Sequence, residues 1–237
     1  MNILGLQKLT LLDFPGYVAA IVFLGGCNFR CPFCQNSPLV LAPEILPVIS
    51  WQEFFDFLHK RSGILEGICV TGGEPTLHSD LPEFLASIKS AGYLVKLDTN
   101  GTNPEMLSSL IRENLVDYVA MDIKAGRSSY ARVCGLDGRS SAPALLEKIM
   151  HSVDILKNSG IDYEFRTTVV KGLHDTADFE DIRTWLSGCR HYYLQSFRDC
   201  PEVLQPNHSF SSFSEEELRG FLEIVQEKIP QACLRGI

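Results

Sequence analysis

Three cysteines, Cys27, Cys31 and Cys34, fall within the eight-residue segment Cys27-Asn28-Phe29-Arg30-Cys31-Pro32-Phe33-Cys34. A C-x3-C-x2-C spacing puts three thiolates on one tight loop. That suits three irons of a [4Fe-4S] cube and leaves the fourth iron without a protein ligand, open to a substrate. Zinc is the competing reading, but a zinc site wants a fourth Cys or His nearby, and no His lies within 20 residues of the triplet. Eight cysteines in 237 residues are too few for a disulfide scaffold. Cys69, Cys134, Cys189, Cys200 and Cys233 are scattered singly and read as core or incidental thiols. Cys189, Cys200 and Cys233 could instead meet and hold a second cluster. None of His59, His78, His151, His174, His191 and His208 is given a role.

Further polar residues follow short apolar runs. They are Gly72-Gly73-Glu74-Pro75 after Thr71, Asp98-Thr99-Asn100-Gly101, and Met121-Asp122-Ile123-Lys124, with Arg166 and Gln195 later in the chain. Gly-Gly and Glu-Pro alone are ordinary turn chemistry. Asp98 and Asp122 end neighbouring predicted strands, and two carboxylates that approach raise one pKa unless a cation or a partner such as Lys124 intervenes. A turn at Asp98 and Asn100, a strand-end cap at Asp122 and a strand-end salt bridge at Arg166 remain the alternatives.

The elements that must position these residues alternate. Residues 18–24 (VAAIVFL) form a continuous apolar run, the pattern of a strand buried on both faces. Further strands are predicted at 67–70, 93–97, 118–121, 163–170 and 192–194. Between them, helical spacing occurs at 51–61, 81–91, 104–114, 143–159 and 177–187. Cap residues precede several: Ser50 with Glu53 in a capping box, Ser79 or Asp80, and Asn103 before Pro104. Strand and helix alternating six times imply an α/β fold with a parallel sheet, and six units suit a partial (β/α)6 barrel. In such folds chemistry gathers beyond the carboxyl ends of the strands, where all these polar residues fall. A final helix at 214–228 carries three glutamates in its first turn, where the helix dipole favours them. Residues 1–237 are expected to form one domain, with the barrel core at about 17–196 and an extension at 197–237.

Composition narrows the function. The formal charge of −8 argues against nucleic-acid binding. Residues 1–14 lack a basic segment followed by a long apolar stretch, and no apolar run approaches the roughly 18 residues that span a bilayer. A cytoplasmic protein without a membrane or nucleic-acid partner is expected.

Cys27, Cys31 and Cys34, with the aromatic Phe33 before the last cysteine, resemble the signature of radical S-adenosylmethionine (SAM) enzymes. The resemblance implies the radical SAM fold and a [4Fe-4S] cluster whose free iron chelates SAM. An electron from the cluster then cleaves the sulfonium, and a 5′-deoxyadenosyl radical abstracts hydrogen. Gly72, Gly73, Glu74 and Pro75 match the family's second motif, which binds the SAM amino group. Asp98 to Gly101 and Asp122 to Lys124 resemble segments of the glycyl-radical-enzyme activases, whose aspartates hold a monovalent cation by the SAM carboxylate. Asn100 and Lys124 belong to the same segments. Phe165-Arg166-Thr167-Thr168 resembles their fifth strand, which implies a SAM contact for Arg166. Asp13-Phe14-Pro15-Gly16 resembles their Asp-x-Pro-Gly segment, with Asp13 as the candidate contact to the backbone of an entering substrate. Gln35 departs from the pattern, standing where a His often follows the third cysteine.

The resemblance runs furthest with activases of anaerobic ribonucleoside-triphosphate reductase. It implies that glycyl radical enzyme as partner and a reductant such as flavodoxin or ferredoxin. Two rivals stand beside it: a radical SAM enzyme acting on a small molecule or peptide, such as a carboxy-deazaguanine synthase, and a non-catalytic iron-sulfur carrier.

Three ligands on one loop cannot replace one another. Cys27→Ala, Cys31→Ala and Cys34→Ala should each abolish the brown chromophore and SAM cleavage, whereas Cys69→Ala should retain both, as read by iron and sulfide content and by 5′-deoxyadenosine release.

Overall fold

Where long apolar runs interrupt the chain, strands form. The computed structural model describes residues 1–205 and 209–237, so His208 lies outside the described residues. The strands are β1 (Ile3–Thr10), β2 (Ala19–Leu24), β3 (Gly67–Gly72), β4 (Leu94–Thr99), β5 (Tyr118–Asp122), β6 (Asp162–Val169), β7 (Tyr192–Ser196) and β8 (Cys233–Arg235). Their order along the sheet is their order in the chain. β1 pairs antiparallel with β2, while β2 with β3, β3 with β4, β6 with β7 and β7 with β8 are parallel. The mostly parallel α/β class is therefore as expected, and each of the six anticipated strands is present within one or two residues of its predicted ends.

β1 and β8 were not anticipated. β1 is an edge strand whose later residues Gln7, Lys8 and Leu9 face solvent, so it lacks the continuous apolar run that marks its neighbours. β8 is three residues long, below what any periodicity can mark.

The helices are α1 (Ser37–Leu41), α2 (Trp51–Lys60), α3 (Leu81–Ser90), α4 (Pro104–Arg112), α5 (Tyr130–Val133), α6 (Ala142–Asn158), α7 (Thr176–Trp185) and α8 (Glu215–Gln226). Capping follows the sequence at α2, where the Glu53 N–H donates to Ser50 Oγ at 3.1 Å, and at α4, where the Met106 N–H donates to Asn103 Oδ1 at 3.3 Å. Asp80 differs. Its carboxylate makes no cap bond and instead accepts from the N-terminal ammonium at 2.6 Å. No described helix is long and apolar enough to cross a membrane.

The chain packs as two compact units. The first comprises Met1–Asn28, Asn36–Thr99 and Asn103–Ala120. Among its core residues are Phe14, Ala19, Ile21 and Cys69. The second comprises Phe29–Gln35, Asn100–Thr102 and Met121–Ile237. There α8 lies on α7 through Phe221, stacked on Phe179 at 4.4 Å between ring centroids.

β8 is held on β7 by more than its ladder. The Arg235 guanidinium donates two hydrogen bonds to the Glu164 carboxylate, at 2.8 and 3.0 Å, and lies 3.7 Å from the Tyr193 ring centroid. Glu164 is only 1% exposed, so its charge depends on such partners. Removing one member of a buried pair strands the other in a poorly solvated place. Arg235→Ala should therefore lower the unfolding free energy by about 3 kcal/mol in urea titrations, and Glu164→Gln in the Arg235→Ala background should recover part of it.

Candidate active site

In the first unit, the Gly72-Gly73-Glu74-Pro75 turn is built by a close backbone crossing. As β3 ends, the Gly73 N–H donates to the Leu24 carbonyl and the Glu74 N–H to the Gly26 carbonyl, both at 2.8 Å. A Cβ on Gly73 would sit 1.9 Å from the Gly26 oxygen, so no side chain fits there. The Asn36 amide reaches across to the Gly72 carbonyl at 3.1 Å. This crossing holds the start of the cysteine segment against the end of β3.

Glu74 is fully buried. Its Oε1 accepts from the Thr76 N–H (3.1 Å), the Thr76 hydroxyl (2.6 Å) and the Thr99 hydroxyl (2.7 Å), which ties the β3 turn to the end of β4. The sequence marked Glu74 but not Thr76 or Thr99. Asp98 accepts from Lys96 Nζ at 2.5 Å, and Lys96 itself is buried. The pair is legible in retrospect, because residues two apart on a strand share a face.

Asp13 lies elsewhere in this unit. It follows β1 and precedes β2, so it sits at the amino end of β2, about 16 Å of strand away from Leu24. Its carboxylate accepts from the Thr10 hydroxyl, whose oxygen in turn accepts from the Leu12 and Asp13 N–H groups. Next to it, Phe14 is buried against Tyr17 and Tyr118. Leu9, Leu11 and Leu12 face outward, Leu12 at 88% exposure.

Cys27 belongs to the first unit, and Cys31 and Cys34 to the second. Among the described residues no three His, Cys, Asp or Glu side chains are arranged as a metal site, so the grouping of the three thiols rests on the motif. The surroundings of Cys31 nevertheless suit a thiolate ligand. A hydrogen bond from the Cys134 thiol favours its charged form, and the Lys124 ammonium adds to this against the opposing effect of burial; together they hold its pKa below the ordinary thiol value. Phe33 is buried edge-on to the His174 ring, at 6.3 Å. The Gln35 amide donates to the Arg198 carbonyl.

At the end of β5, Asp122 accepts from Lys124 Nζ at 2.8 Å and from Arg166 Nε on β6 at 2.5 Å. Burial alone would raise its pKa, but the charges of Arg166 and Lys124 outweigh burial and hold the carboxyl far below its usual range. Burial likewise opposes the charge on Lys124, and the negative charges of Asp122 and Cys31 outweigh it, so Lys124 stays protonated. The Lys124 carbonyl is 2.7 Å from His174 Nε2, while His174 Nδ1 accepts from the Val170 N–H at 3.0 Å. Asn100 closes a turn, its Oδ1 accepting from the Thr102 N–H and hydroxyl at 3.0 and 2.7 Å. His174 and Cys134 were not given roles by sequence, since their partners lie far from them in the chain.

The scattered thiols sort by burial. Cys69 is a core residue, and burial pushes the Cys189 thiol up to about 11, which favours its protonated form. Cys200 is partly exposed and Cys233 exposed, and the second-cluster alternative has no geometric support among the described residues.

The family profile of the Radical SAM superfamily matches residues 21–186. A Methanocaldococcus jannaschii protein named provisionally as a glycyl-radical enzyme activating enzyme is 34% identical over 239 residues, covering 98% of this chain and 95% of its own. The 7-carboxy-7-deazaguanine synthase of Neisseria meningitidis serogroup B is 33% identical over 111 residues, covering 46% of this chain and 45% of its own. Among solved structures, Streptococcus suis SuiB bound to the precursor peptide SuiA is similar with a TM-score of 0.67 at 12% identity. That match covers 91% of this chain and 48% of SuiB, so the chain spans about half of that protein's length and shares its fold.

The backbone crossing gives a test with an internal control. Gly73→Ala forces a Cβ into the Gly26 carbonyl and should lower stability by about 2 to 3 kcal/mol. Gly220→Ala, in α8 with nothing within 4 Å of the new Cβ, should raise it by about 0.5 to 1 kcal/mol, both read from urea midpoints.

Proposed function

The chain belongs to the radical SAM superfamily, on its glycyl-radical-enzyme activase side, and from that premise we propose that it generates the glycyl radical of a partner enzyme. The observation that carries this reading is the match to an activating enzyme along 98% of the chain, where the match to the deazaguanine synthase covers less than half. When bound, the [4Fe-4S] cluster and SAM supply the electron transfer and the 5′-deoxyadenosyl radical that removes hydrogen from a backbone glycine.

The chain's own residues hold and orient these groups. Cys27, Cys31 and Cys34 are the proposed cluster ligands, and the lowered pKa of Cys31 favours the thiolate form that a ligand must supply. The Gly72 to Pro75 turn offers backbone groups for the SAM amino group, with Glu74 locking the turn from behind. Arg166 and Lys124 present positive charge to the SAM carboxylate and, being paired with Asp122, are fixed in direction. Phe33 and Asn100 complete the proposed cofactor contacts. A monovalent cation held by Asp98 and Asp122 would share those carboxylates with Lys96, Lys124 and Arg166.

We take residues 1–237 as one radical SAM domain, an anaerobic ribonucleoside-triphosphate reductase as its partner, and flavodoxin or ferredoxin as its reductant. Eight free cysteines suit a cytoplasmic location, where thiols stay reduced. A protein substrate is favoured by the hairpin between β1 and β2. Phe14 is pinned inside while Leu9, Leu11 and Leu12 are exposed together beside Asp13, the kind of apolar patch that marks a protein contact. Since Asp13 lies at the amino end of β2, a partner segment touching it would have to extend along the strand to meet the turn at Gly72.

The decisive experiment is anaerobic reconstitution with SAM and reductant, followed by electron paramagnetic resonance of the added reductase. A glycyl-radical doublet on the reductase is expected. No doublet, together with deoxyadenosine release stimulated by a small molecule, would replace this reading with the small-molecule enzyme. Leu12→Asp should cut the doublet yield several-fold while leaving partner-independent deoxyadenosine formation unchanged. An unchanged doublet would remove the leucine patch from the contact.

A further inference from the structure

Lys96 is only 2% exposed, an unusual place for an ammonium. It stands in β4 level with Cys69 on β3, which is level in turn with Ile21 on β2. Residues level with one another on adjacent strands share a face of the sheet, so Lys96 rises from the same floor as Ile21 and Cys69, both buried in the apolar cluster with Phe14 and Ala19. A charge left among such residues would be costly. Two residues further toward the carboxyl end of β4, the same face presents Asp98, whose side chain is 16% exposed. Lys96 buries its stem and carries its charge up to that carboxylate, Nζ donating to Asp98 Oδ1 at 2.5 Å.

The activase resemblance implies a monovalent cation at Asp98 and Asp122, and the charges present do not suit one. Lys96 and Asp98 sum to zero, while Asp122 is met by Lys124 at 2.8 Å and by Arg166 at 2.5 Å. A cation on the Asp98 carboxylate would stand close to the ammonium already bound there, like charge against like. We propose that the Lys96 ammonium takes the place of that cation: it is the resident counter-ion of Asp98, supplied by the chain itself, and SAM binding needs no alkali ion. The inference rests on Asp98 being part of the SAM site, as read above. A free ion must be collected from solution and shed water, whereas the lysine charge is delivered to Asp98 by the pleat of β4 and is present whatever salt surrounds the protein.

The test compares sodium, potassium and choline chlorides at matched ionic strength, so that general screening is the same in each. SAM affinity of the anaerobically reconstituted full chain, read by equilibrium dialysis, should be equal in all three, and so should the urea midpoint of the chain without cluster or SAM. Lys96→Met, which keeps the length and removes the charge, should bind SAM several-fold more weakly in choline and regain affinity in sodium or potassium. Its urea midpoint should likewise rise with the alkali ion, since an ion bound by the folded state alone stabilises it. A parent whose SAM affinity or midpoint depends on the alkali ion would overturn the proposal, as would a Lys96→Met chain that is indifferent to it. Should Lys96→Met not fold, the comparison on the parent decides. The SAM-site reading fails separately, if the reconstituted parent binds no SAM in any of the salts. The urea midpoints, which require neither cluster nor SAM, then still decide whether Lys96 stands in for an ion.

Discussion

Asp122 brings one negative charge against the two positive charges of Lys124 and Arg166, each within 2.8 Å. The local sum is one positive charge at the carboxyl end of β5, and the Lys124 charge favours the thiolate form of nearby Cys31. Burying any of these groups alone would be costly. Together they compensate, and their hydrogen bonds fix direction as well as charge. Around this balance the second unit places His174 on the Lys124 carbonyl and the ring of Phe33 beside His174. The polar residues of the site are thus parts of one electrostatic arrangement, and a change at Asp122 would be felt at Cys31 without touching it.

The first unit meets a different demand, that of bringing backbone to backbone. Glycine at 73 allows two successive N–H groups to reach the carbonyls of Leu24 and Gly26, and Glu74 then ties that crossing to the end of β4 through Thr99. The same unit carries the leucines of the β1–β2 hairpin at the far end of β2. A radical enzyme that acts on a protein has two surfaces to maintain, one that holds the cofactor and one that receives the partner. Here one short strand joins the segments proposed for each.

How far the sequence could be read depended on how local each signal was. Continuous apolar runs marked β2 to β7, and caps at Ser50 and Asn103 marked helix starts, because each pattern lies within a few residues. β1 escaped because an edge strand half open to solvent carries a mixed pattern, and α5 and β8 because they are too short to carry one. The motif cysteines and the Gly72 to Pro75 turn were legible as chemistry. The inward direction of Glu74 and the meeting of Cys134 with Cys31 were not, since both depend on partners brought in by tertiary packing. Asp13 was read as a candidate contact to an entering substrate backbone, from the segment before β2. It precedes its strand, and strand direction alone puts it at the opposite end from the cysteine segment.

His174 has both ring nitrogens engaged, one accepting from the Val170 N–H and the other against the Lys124 carbonyl, and burial moves its pKa down, away from neutrality. Its neighbours behave alike: Asp122 titrates far below its usual range, while Lys124 and Tyr130 titrate well above theirs. Asp122, Lys124 and Tyr130 therefore keep their protonation states between mildly acidic and mildly alkaline conditions, and burial favours the neutral ring of His174. The charges of Asp122 and Lys124 beside the Cys31 sulfur thus stay constant while the acidity of the cell drifts. Hydrogen-atom abstraction by a radical requires no proton donor or acceptor, and a site built this way keeps proton traffic away from the electron.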